Sequence, residues 1–275
     1  MKKILTSLLM ISLTLCLGAC NMPWQKEETK TKEEKQVIEA SKVKGTMEGM
    51  TLKIGVSNEM APFSYYDEEE KKIKGFDIDI LEKISDYLGF EYELQPMPMR
   101  QITEKIKNNK LDMAIAGISI TDDRQKEFLF TDAYYENTLK IMVNKDAGIT
   151  ERKEITGKVI GVEEGTSNAD YIKDYMSENN QIKYYSSMKK VFKDLEKGKI
   201  DATLYDTTGV DYYLEHHENT NLIALDEKLN SEESNYGIMF RKGYEYLDQF
   251  NVALQVLNIN GDYQKIKEKW LKSEE

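Results

Sequence analysis

Apolar and polar positions along the chain follow two recurring patterns. Residues 51–56 and 90–95 alternate apolar with polar side chains and contain β-branched or aromatic residues, which predicts strands. Apolar residues recur at helical spacing over residues 80–88 and again over residues 102–106, which predicts amphipathic helices. The pattern therefore predicts both strands and helices in this part of the chain.

The stretch at residues 111–136 combines a strand, a turn and a helix with candidate chemistry. An apolar run at 113–116 predicts a buried strand that Gly117 closes, and Asp122 is placed to cap the next helix. Arg124 then falls in the first turn, where the helix end already carries partial positive charge. A bound carboxylate would explain this position, and a surface ion pair with a neighbouring acid is the alternative.

A second strand–loop–helix unit repeats this pattern. Residues 155–162 predict a strand, and Thr166 and Ser167 open a helix over residues 169–176. Hydroxyl groups and free N–H groups at a helix start favour an anion. Combined with Arg124, this helix end predicts a site where one carboxylate could bridge two parts of the chain.

Other polar residues have simpler interpretations. Asp77 and Asp79 begin a predicted helix, where acids stabilise the first turn, so we predict structural roles for both. His216 and His217 are adjacent and lack further ligands at metal spacing, which predicts surface positions. The sequence therefore predicts neither a metal site nor a cofactor.

The beginning of the chain has the pattern of an export leader. Two lysines precede an apolar segment at residues 4–17 that is too short to span a membrane. The four residues ending at Cys20 (LGAC) resemble the lipobox that precedes an acylated cysteine in bacterial lipoproteins. We predict a signal peptide at residues 1–19, a lipid on Cys20 and a flexible, charged tether over residues 20–49.

Charge and cysteine content argue against several classes of protein. The formal net charge is −11, and loss of the leader, with two lysines and no acids, would change it from −11 to −13. A surface this acidic argues against nucleic acid as a partner. Cys16 would leave with the leader and Cys20 would carry lipid, so no disulfide is expected. No second apolar segment is long enough for a membrane span, which argues against channels and receptor kinases.

Several short motifs occur along the chain, in this order: GFDIDI at 75–80, GISIT at 117–121 followed by Arg124, FTDAYY at 130–135, GDY at 261–263 and Trp270. Over roughly residues 50 to 272 the chain resembles the bacterial extracellular solute-binding proteins of family 3, the polar amino-acid receptors of ABC importers. The resemblance implies an α/β fold of the type II periplasmic-binding-protein kind. Each of its two lobes would be a mixed sheet flanked by helices, and two strands would form the hinge. Lobe 1 would comprise residues 50–137 and 235–275, and lobe 2 residues 138–234.

The same resemblance implies a ligand site between the lobes. The carboxylate of an amino acid would be bound by groups from both lobes: Arg124, Ser119, the N–H of Gly117, Thr166 and Ser167. Asp206 would receive the α-ammonium, which needs a paired charge when it is buried. Met60 and Met99 stand where family members commonly have aromatic residues, so they would either flank the ligand or fill the core. Glu163 would either line the pocket, facing a cationic side chain, or point to solvent.

The resemblance also implies a function. A monomeric lipoprotein on the outer face of the cytoplasmic membrane would capture a free amino acid and deliver it to ABC permease subunits with a cytoplasmic ATPase. Two alternatives share the fold: an enzyme like the cyclohexadienyl dehydratases, and an amino-acid sensory receptor. We expect no enzymatic activity, because zwitterion binding accounts for Arg124 and Asp206. The sequence leaves open whether the ligand is polar, basic or cystine-like.

Overall fold

The computed structural model of the protein describes residues 40–229 and 234–271. The predicted signal peptide, Cys20 and the tether up to residue 39 lie outside the described residues.

Residues 40–49 pack on the folded domain, so their assignment to the flexible tether was wrong. Met47 is 1% exposed and belongs to the first hydrophobic core. Its N–H donates to the carbonyl of Leu88 at 2.9 Å, and the N–H of Gly45 donates to that of Tyr87 at 3.0 Å. A buried methionine and paired backbone groups hold this segment in place, and the compact unit begins at Ala40.

The elements up to residue 130 alternate between strands and helices. In chain order they are β1 (Thr51–Val56), β2 (Glu59–Met60), β3 (Ser64–Asp67), β4 (Lys72–Lys74), α1 (Phe76–Leu88), β5 (Glu91–Pro96), α2 (Met99–Lys107), β6 (Met113–Ala114), α3 (Asp122–Glu127) and β7 (Phe128–Phe130).

The remaining elements continue this alternation. They are β8 (Leu139–Asn144), β9 (Val159–Glu163), α4 (Ser167–Tyr175), β10 (Gln181–Tyr185), α5 (Met188–Glu196), β11 (Ala202–Asp206), α6 (Thr207–His216), β12 (Leu222–Leu229), β13 (Met239–Arg241), α7 (Leu247–Ile259) and α8 (Asp262–Trp270).

Within the described residues the strands form two mixed five-stranded sheets and one small antiparallel sheet. The first sheet has the order β5-β1-β6-β13-β7, in which β1 runs parallel to β5 and β6, and β13 runs antiparallel to its neighbours. The second has the order β10-β9-β11-β8-β12, in which β9 runs parallel to β10 and β11, and β8 runs antiparallel to its neighbours. The small sheet joins β2, β3 and β4. The chain passes to the second sheet after β7 and returns to the first at β13.

Each large sheet is buried on both faces. Around β6, Met113 and Ile115 belong to one core, whereas Ala114 and Ala116 belong to another. Alternate residues of a strand point to opposite faces, so this division places packed side chains on either side of the sheet. Helices α1, α7 and α8 contribute to the first core and α2 to the second. The predicted apolar face of α1 is confirmed, since its residues at 80, 81, 84 and 88 are fully buried.

Two local predictions were wrong. The strand predicted at 155–162 begins only at Val159, because Gly157 adopts a left-handed conformation with φ 74° and turns the chain. The N-cap of α3 is Thr121 rather than Asp122, and its hydroxyl accepts the N–H of Arg124 at 3.2 Å.

Asp77 connects the start of α1 to the loop that follows β6. Its side chain is fully buried and accepts the N–H of Gly117 at 2.7 Å and the hydroxyl of Tyr134 at 2.8 Å. Burial raises the pKa of this carboxyl to about 7, and the two hydrogen bonds oppose that shift. The geometry agrees with the structural role predicted for Asp77, because one carboxyl group fixes the position of Gly117.

We expect Asp77→Asn to reduce the pH dependence of the free energy of unfolding. In the unfolded chain this carboxyl ionises at about pH 4, as aspartates in water do, whereas its pKa in the folded protein is about 7. Between these values the folded state holds a proton that the unfolded state has released, so stability from this group falls as pH rises. Urea denaturation from about pH 4 to about pH 8 measures the effect, which is at most about 1.4 kcal/mol per pH unit.

The control for this experiment is Glu82→Gln, which removes an exposed acid from the same helix. The asparagine variant should gain stability relative to the wild type as pH rises through this window. A difference between the two proteins that stays constant with pH would contradict the assignment.

Candidate functional site

A cavity of about 480 Å³ lies where the strands of both large sheets end. Its lining comes from the ends of β1, β5 and β6 in the first sheet and of β9, β10 and β11 in the second. Ligands of open α/β proteins bind at this end of the strands, and the volume is within the usual range for small-molecule sites. Every residue that the sequence predicted for the site lines the cavity: Met60, Met99, Gly117, Ser119, Arg124, Glu163, Thr166, Ser167 and Asp206.

Arg124 reaches from α3 across the cavity to the loop after β9. Its Nη1 donates to the carbonyl of Ser119 at 3.0 Å and its Nη2 to the carbonyl of Gly165 at 3.2 Å. Arg124 forms no ion pair with any described residue. The alternative interpretation, a surface ion pair with a neighbouring acid, is therefore wrong. Burial lowers the pKa of Arg124, and the charges of Asp170 and Asp206 oppose that shift. An arginine remains protonated in such a site and has further N–H groups to offer.

Two serines and a threonine link the two sheets beside this guanidinium. The hydroxyl of Ser167 donates to that of Ser119 at 2.9 Å. Thr166 is the N-cap of α4, since its hydroxyl accepts the N–H of Ala169 at 3.2 Å, and it donates to the carbonyl of Glu163 at 2.8 Å. The first N–H groups of a helix have no acceptor within the helix, so the start of α4 presents donors to the cavity.

Gly117 lines the cavity, but not in its predicted role. Its N–H donates to the carboxyl group of Asp77, so it is not available to a ligand carboxylate, and that part of the prediction was wrong. Gly117 has φ 55°, and a Cβ atom there would overlap the thioether of Met60. Its lack of a side chain therefore allows Met60 to lie over the backbone at the cavity wall.

Asp206 ends β11 and is 5% exposed. Its carboxylate accepts the side-chain amides of Asn137 and Asn168, the latter at 3.3 Å. Burial raises its pKa, and Tyr236, Asn137 and Asn168 oppose that shift. Tyr236 affects the pKa of Asp206 because it lies near the carboxylate. Its hydroxyl has no partner with hydrogen-bond geometry among the described residues. The carboxylate forms no ion pair with a described residue, so it lacks a counter-ion of its own.

Methionines form much of the apolar wall. Met60 and Met99 are joined by Met97 and Met188, which sequence reasoning did not assign to the site. Met188 is the first residue of α5 and is 4% exposed. Thioethers on unbranched side chains give an adaptable and polarizable surface.

Two glutamates line the cavity in addition to Asp206. Glu163 accepts the N–H of Met188 at 3.2 Å, so it belongs to the pocket and not to bulk solvent. Burial raises its pKa to about 7, the negative charge of Glu59 contributes to the shift, and the Met188 N–H opposes it. Sequence reasoning missed Glu59, although it directly precedes Met60 in the loop that follows β1.

The family model for bacterial extracellular solute-binding proteins, family 3, matches residues 52–273. The chain belongs to this family. It is 28% identical over 225 residues to the arginine-binding extracellular protein ArtP of Bacillus subtilis, covering 81% of this chain and 87% of that protein. It is 31% identical over 223 residues to the ABC transporter arginine-binding protein 1 of Escherichia coli, and the match covers 80% of this chain and 90% of that protein. A structure of an ancestral arginine-binding protein bound to arginine matches with a TM-score of 0.76 and 32% identity. The match covers 82% of this chain and 100% of that protein.

These matches confirm the predicted family, the two-sheet α/β fold and the role of a substrate-binding protein. Both curated relatives are named as binding proteins, not as enzymes. Among the described residues, no cluster of three or more His, Cys, Asp and Glu side chains could hold a metal ion. In the same part of the chain, no helix has the length and apolarity to cross a membrane.

We expect Gly117→Ala to weaken ligand binding by this solute-binding protein. The added methyl group must displace Met60 at the cavity wall, and alanine at a positive φ costs about 1–2 kcal/mol of folding free energy. Gly148→Ala is the matched control, since Gly148 also has a positive φ, 64°, but nothing lies within 4 Å of the position that a Cβ atom would occupy there. Urea denaturation and calorimetric titration with a free amino acid that the wild type binds measure the two effects.

The free energy of unfolding should fall by a similar amount in both variants, and only the variant at Gly117 should bind the ligand more weakly. Equal affinities in the two variants would show that the contact with Met60 does not shape the site.

Proposed function

We propose that this solute-binding protein captures a free α-amino acid outside the cytoplasm and delivers it to the permease of an ABC transporter. One observation carries the proposal: a guanidinium and a carboxylate without a counter-ion, Arg124 and Asp206, line the same cavity. A zwitterion carries the complementary charges on neighbouring atoms of a small molecule.

In this proposal Arg124 binds the carboxylate. Its planar fork can donate two parallel hydrogen bonds to the two oxygens, and a ligand carboxylate would replace the carbonyls of Ser119 and Gly165 as acceptors. The hydroxyls of Ser119 and Ser167 and the N–H groups at the start of α4 add donors around the same anion.

Asp206 binds the α-ammonium. Its two oxygens are already oriented by Asn137 and Asn168, which limits the reorganisation that binding requires. A buried carboxylate is costly without a cation, so the incoming ammonium relieves a penalty that the empty site carries.

The ligand also couples the two lobes, which we take to be residues 50–137 with 235–275 and residues 138–234. Arg124 lies on the side of the first sheet and Asp206 ends a strand of the second. A ligand that contacts both groups stabilises the closed form selectively, which is the condition for a shift in population. Permease subunits with a cytoplasmic ATPase would then recognise the closed form.

An amino acid with a basic side chain fits the site best. The two curated relatives described above are named as arginine-binding proteins, although others are named for cystine or histidine, and Glu163 supplies an acid on the cavity wall. The methionines provide an apolar surface for the methylene groups of a long side chain. Binding of this kind needs no catalytic group, and we assign no reaction to the protein.

We further propose that the mature protein is a monomer held at the outer face of the cytoplasmic membrane by lipid on Cys20. The leader at residues 1–19 and the charged segment that follows support this location. A charged tether would let the binding domain move near its permease while remaining attached.

Arg124→Ala should abolish the thermal shift that amino acids produce. In the wild type, ligand at about 100 times its Kd adds about 2.7 kcal/mol of stability. Without the guanidinium every amino acid loses its carboxylate partner, so no ligand should raise the melting temperature at the same concentrations. A thermal-shift screen of the common amino acids and cystine measures this.

Arg152→Ala is the control for that screen, because Arg152 forms a surface ion pair with Glu227 at 3.6 Å away from the cavity. It should respond to ligand like the wild type. If the Arg124 variant also responds normally, the zwitterion proposal is wrong.

Cys20→Ala should release the protein from the membrane fraction of expressing cells, because the variant lacks the attachment site of the lipid, which is the sole proposed anchor. Cys16→Ala is the matched control and should remain attached, since Cys16 lies within the proposed leader. Fractionation with incorporation of a labelled fatty acid measures both. Retention and labelling of the Cys20 variant would contradict the lipoprotein assignment.

A further inference from the structure

Two short segments carry the chain between the two large sheets. The first crossing, residues 135–138, lies between β7 and β8, and the second crossing, residues 234–237, lies between β12 and β13. The N–H of Asn137 donates to the side-chain carbonyl of Asn235 at 3.1 Å, and the hydroxyl of Ser234 donates to the carbonyl of Asn137 at 2.6 Å. These bonds join the two crossings to each other.

The second crossing is attached to the loop that carries Ser119. The N–H of Ile120, the residue after Ser119, donates to the backbone carbonyl of Asn235 at 2.8 Å. The carbonyl of Ser119 in turn accepts Nη1 of Arg124 at 3.0 Å. The groups that we propose to bind the ligand carboxylate are therefore connected to Asn235 through the backbone of this loop.

The first crossing is attached to Asp206. The side-chain amide of Asn137 donates to one oxygen of that carboxylate, and the N–H of Thr207 donates to the carbonyl of Thr138 at 2.8 Å. Asn137 is 4% exposed, and its amide oxygen has no hydrogen-bond partner among the described residues. A buried amide oxygen without a partner is costly, and the bond to a proposed ligand group gives a reason to retain this residue.

We propose that Asn137 and Asn235 determine the spacing between the carboxylate site and the ammonium site, and thereby the preference for an α-amino acid over its β-homologue. The inference rests on the proposed function, because it assigns the selectivity of the same site. Hydrogen bonds connect Ser119 to Asp206 through both crossings, so the distance between the two sites depends on this connection.

The chemistry of the ligand explains why this spacing matters. One carbon separates the carboxyl carbon from the ammonium nitrogen in an α-amino acid, whereas two carbons separate them in the β-homologue. A preorganised site with a fixed spacing favours one of these separations. Asn137 is not among the residues that line the cavity, so it acts through Asp206 and is a positioning residue.

Asn168 provides a matched comparison for Asn137. Its side-chain amide donates to the other oxygen of Asp206 at 3.3 Å, and it is 5% exposed. It belongs to α4, however, and lies outside both crossings. A variant at Asn168 therefore removes a similar bond to Asp206 without changing the connection between the crossings.

Calorimetric titration with L-arginine and L-β-homoarginine tests the proposal, because the two ligands share a side chain and differ by one methylene in the backbone. The wild type should bind arginine at least about tenfold more tightly, since a misplaced ammonium loses a hydrogen bond to a charged group. Asn137→Ala should reduce this ratio of affinities severalfold, because Asp206 can then move toward the more distant ammonium. Asn168→Ala should weaken both ligands in parallel and keep the wild-type ratio.

Asn235→Ala tests the connection without removing any group that contacts Asp206. It removes the side-chain acceptor of the Asn137 N–H, while the backbone bond from Ile120 can remain. The ratio should fall in the same direction as in Asn137→Ala. Urea denaturation reports whether each variant folds, and if Asn137→Ala does not fold, the result for Asn235→Ala decides.

Two results would overturn the proposal. One is wild-type protein that binds both homologues equally. The other is a ratio that stays at the wild-type value in the folded variants at Asn137 and Asn235, including a parallel loss of affinity like that expected for Asn168→Ala. L-glutamine and L-β-homoglutamine replace the first pair if the wild type does not bind arginine. Failure of the proposed function is a separate result, because then none of the common amino acids would bind the wild type.

Discussion

The site depends on the desolvation of opposite charges that form no ion pair with any residue the structure describes. Asp206 is buried with two amide donors but no cation, and Arg124 donates only to backbone carbonyls. A carboxylate or a guanidinium kept out of water needs an opposite charge, so both groups favour the same type of ligand. A small zwitterion, the ligand that we propose, would supply an opposite charge to each of them. This pair therefore connects the fold to substrate binding.

The architecture brings these groups together by placing strand ends opposite each other. Both large sheets direct the ends of their central strands at the cavity, so residues more than eighty positions apart in the chain meet there. Rigid supports fix the wall: Asp77 holds the backbone at Gly117, and Thr166 caps α4. The hydrogen bond between Ser119 and Ser167 joins the two sides directly. A ligand in this position interacts with both sheets, which is what a closing receptor requires.

Methionines form much of the apolar wall of the cavity, and they provide an adaptable surface without a fixed stacking geometry. Glu59 and Glu163 add acidic groups to the lining of the same cavity.

The sequence by itself determined the family, the alternation of strands and helices, and the residues that line the cavity, because local periodicity and short motifs carry that information. Tertiary structure decided how those residues are used. The N–H of Gly117 is bound by Asp77, forty residues away, and no local pattern predicts that contact. Residues 40–49 looked like tether by composition, yet Met47 is buried against α1. Glu59 and Glu163 line one cavity only because the fold brings together segments that are far apart in the chain.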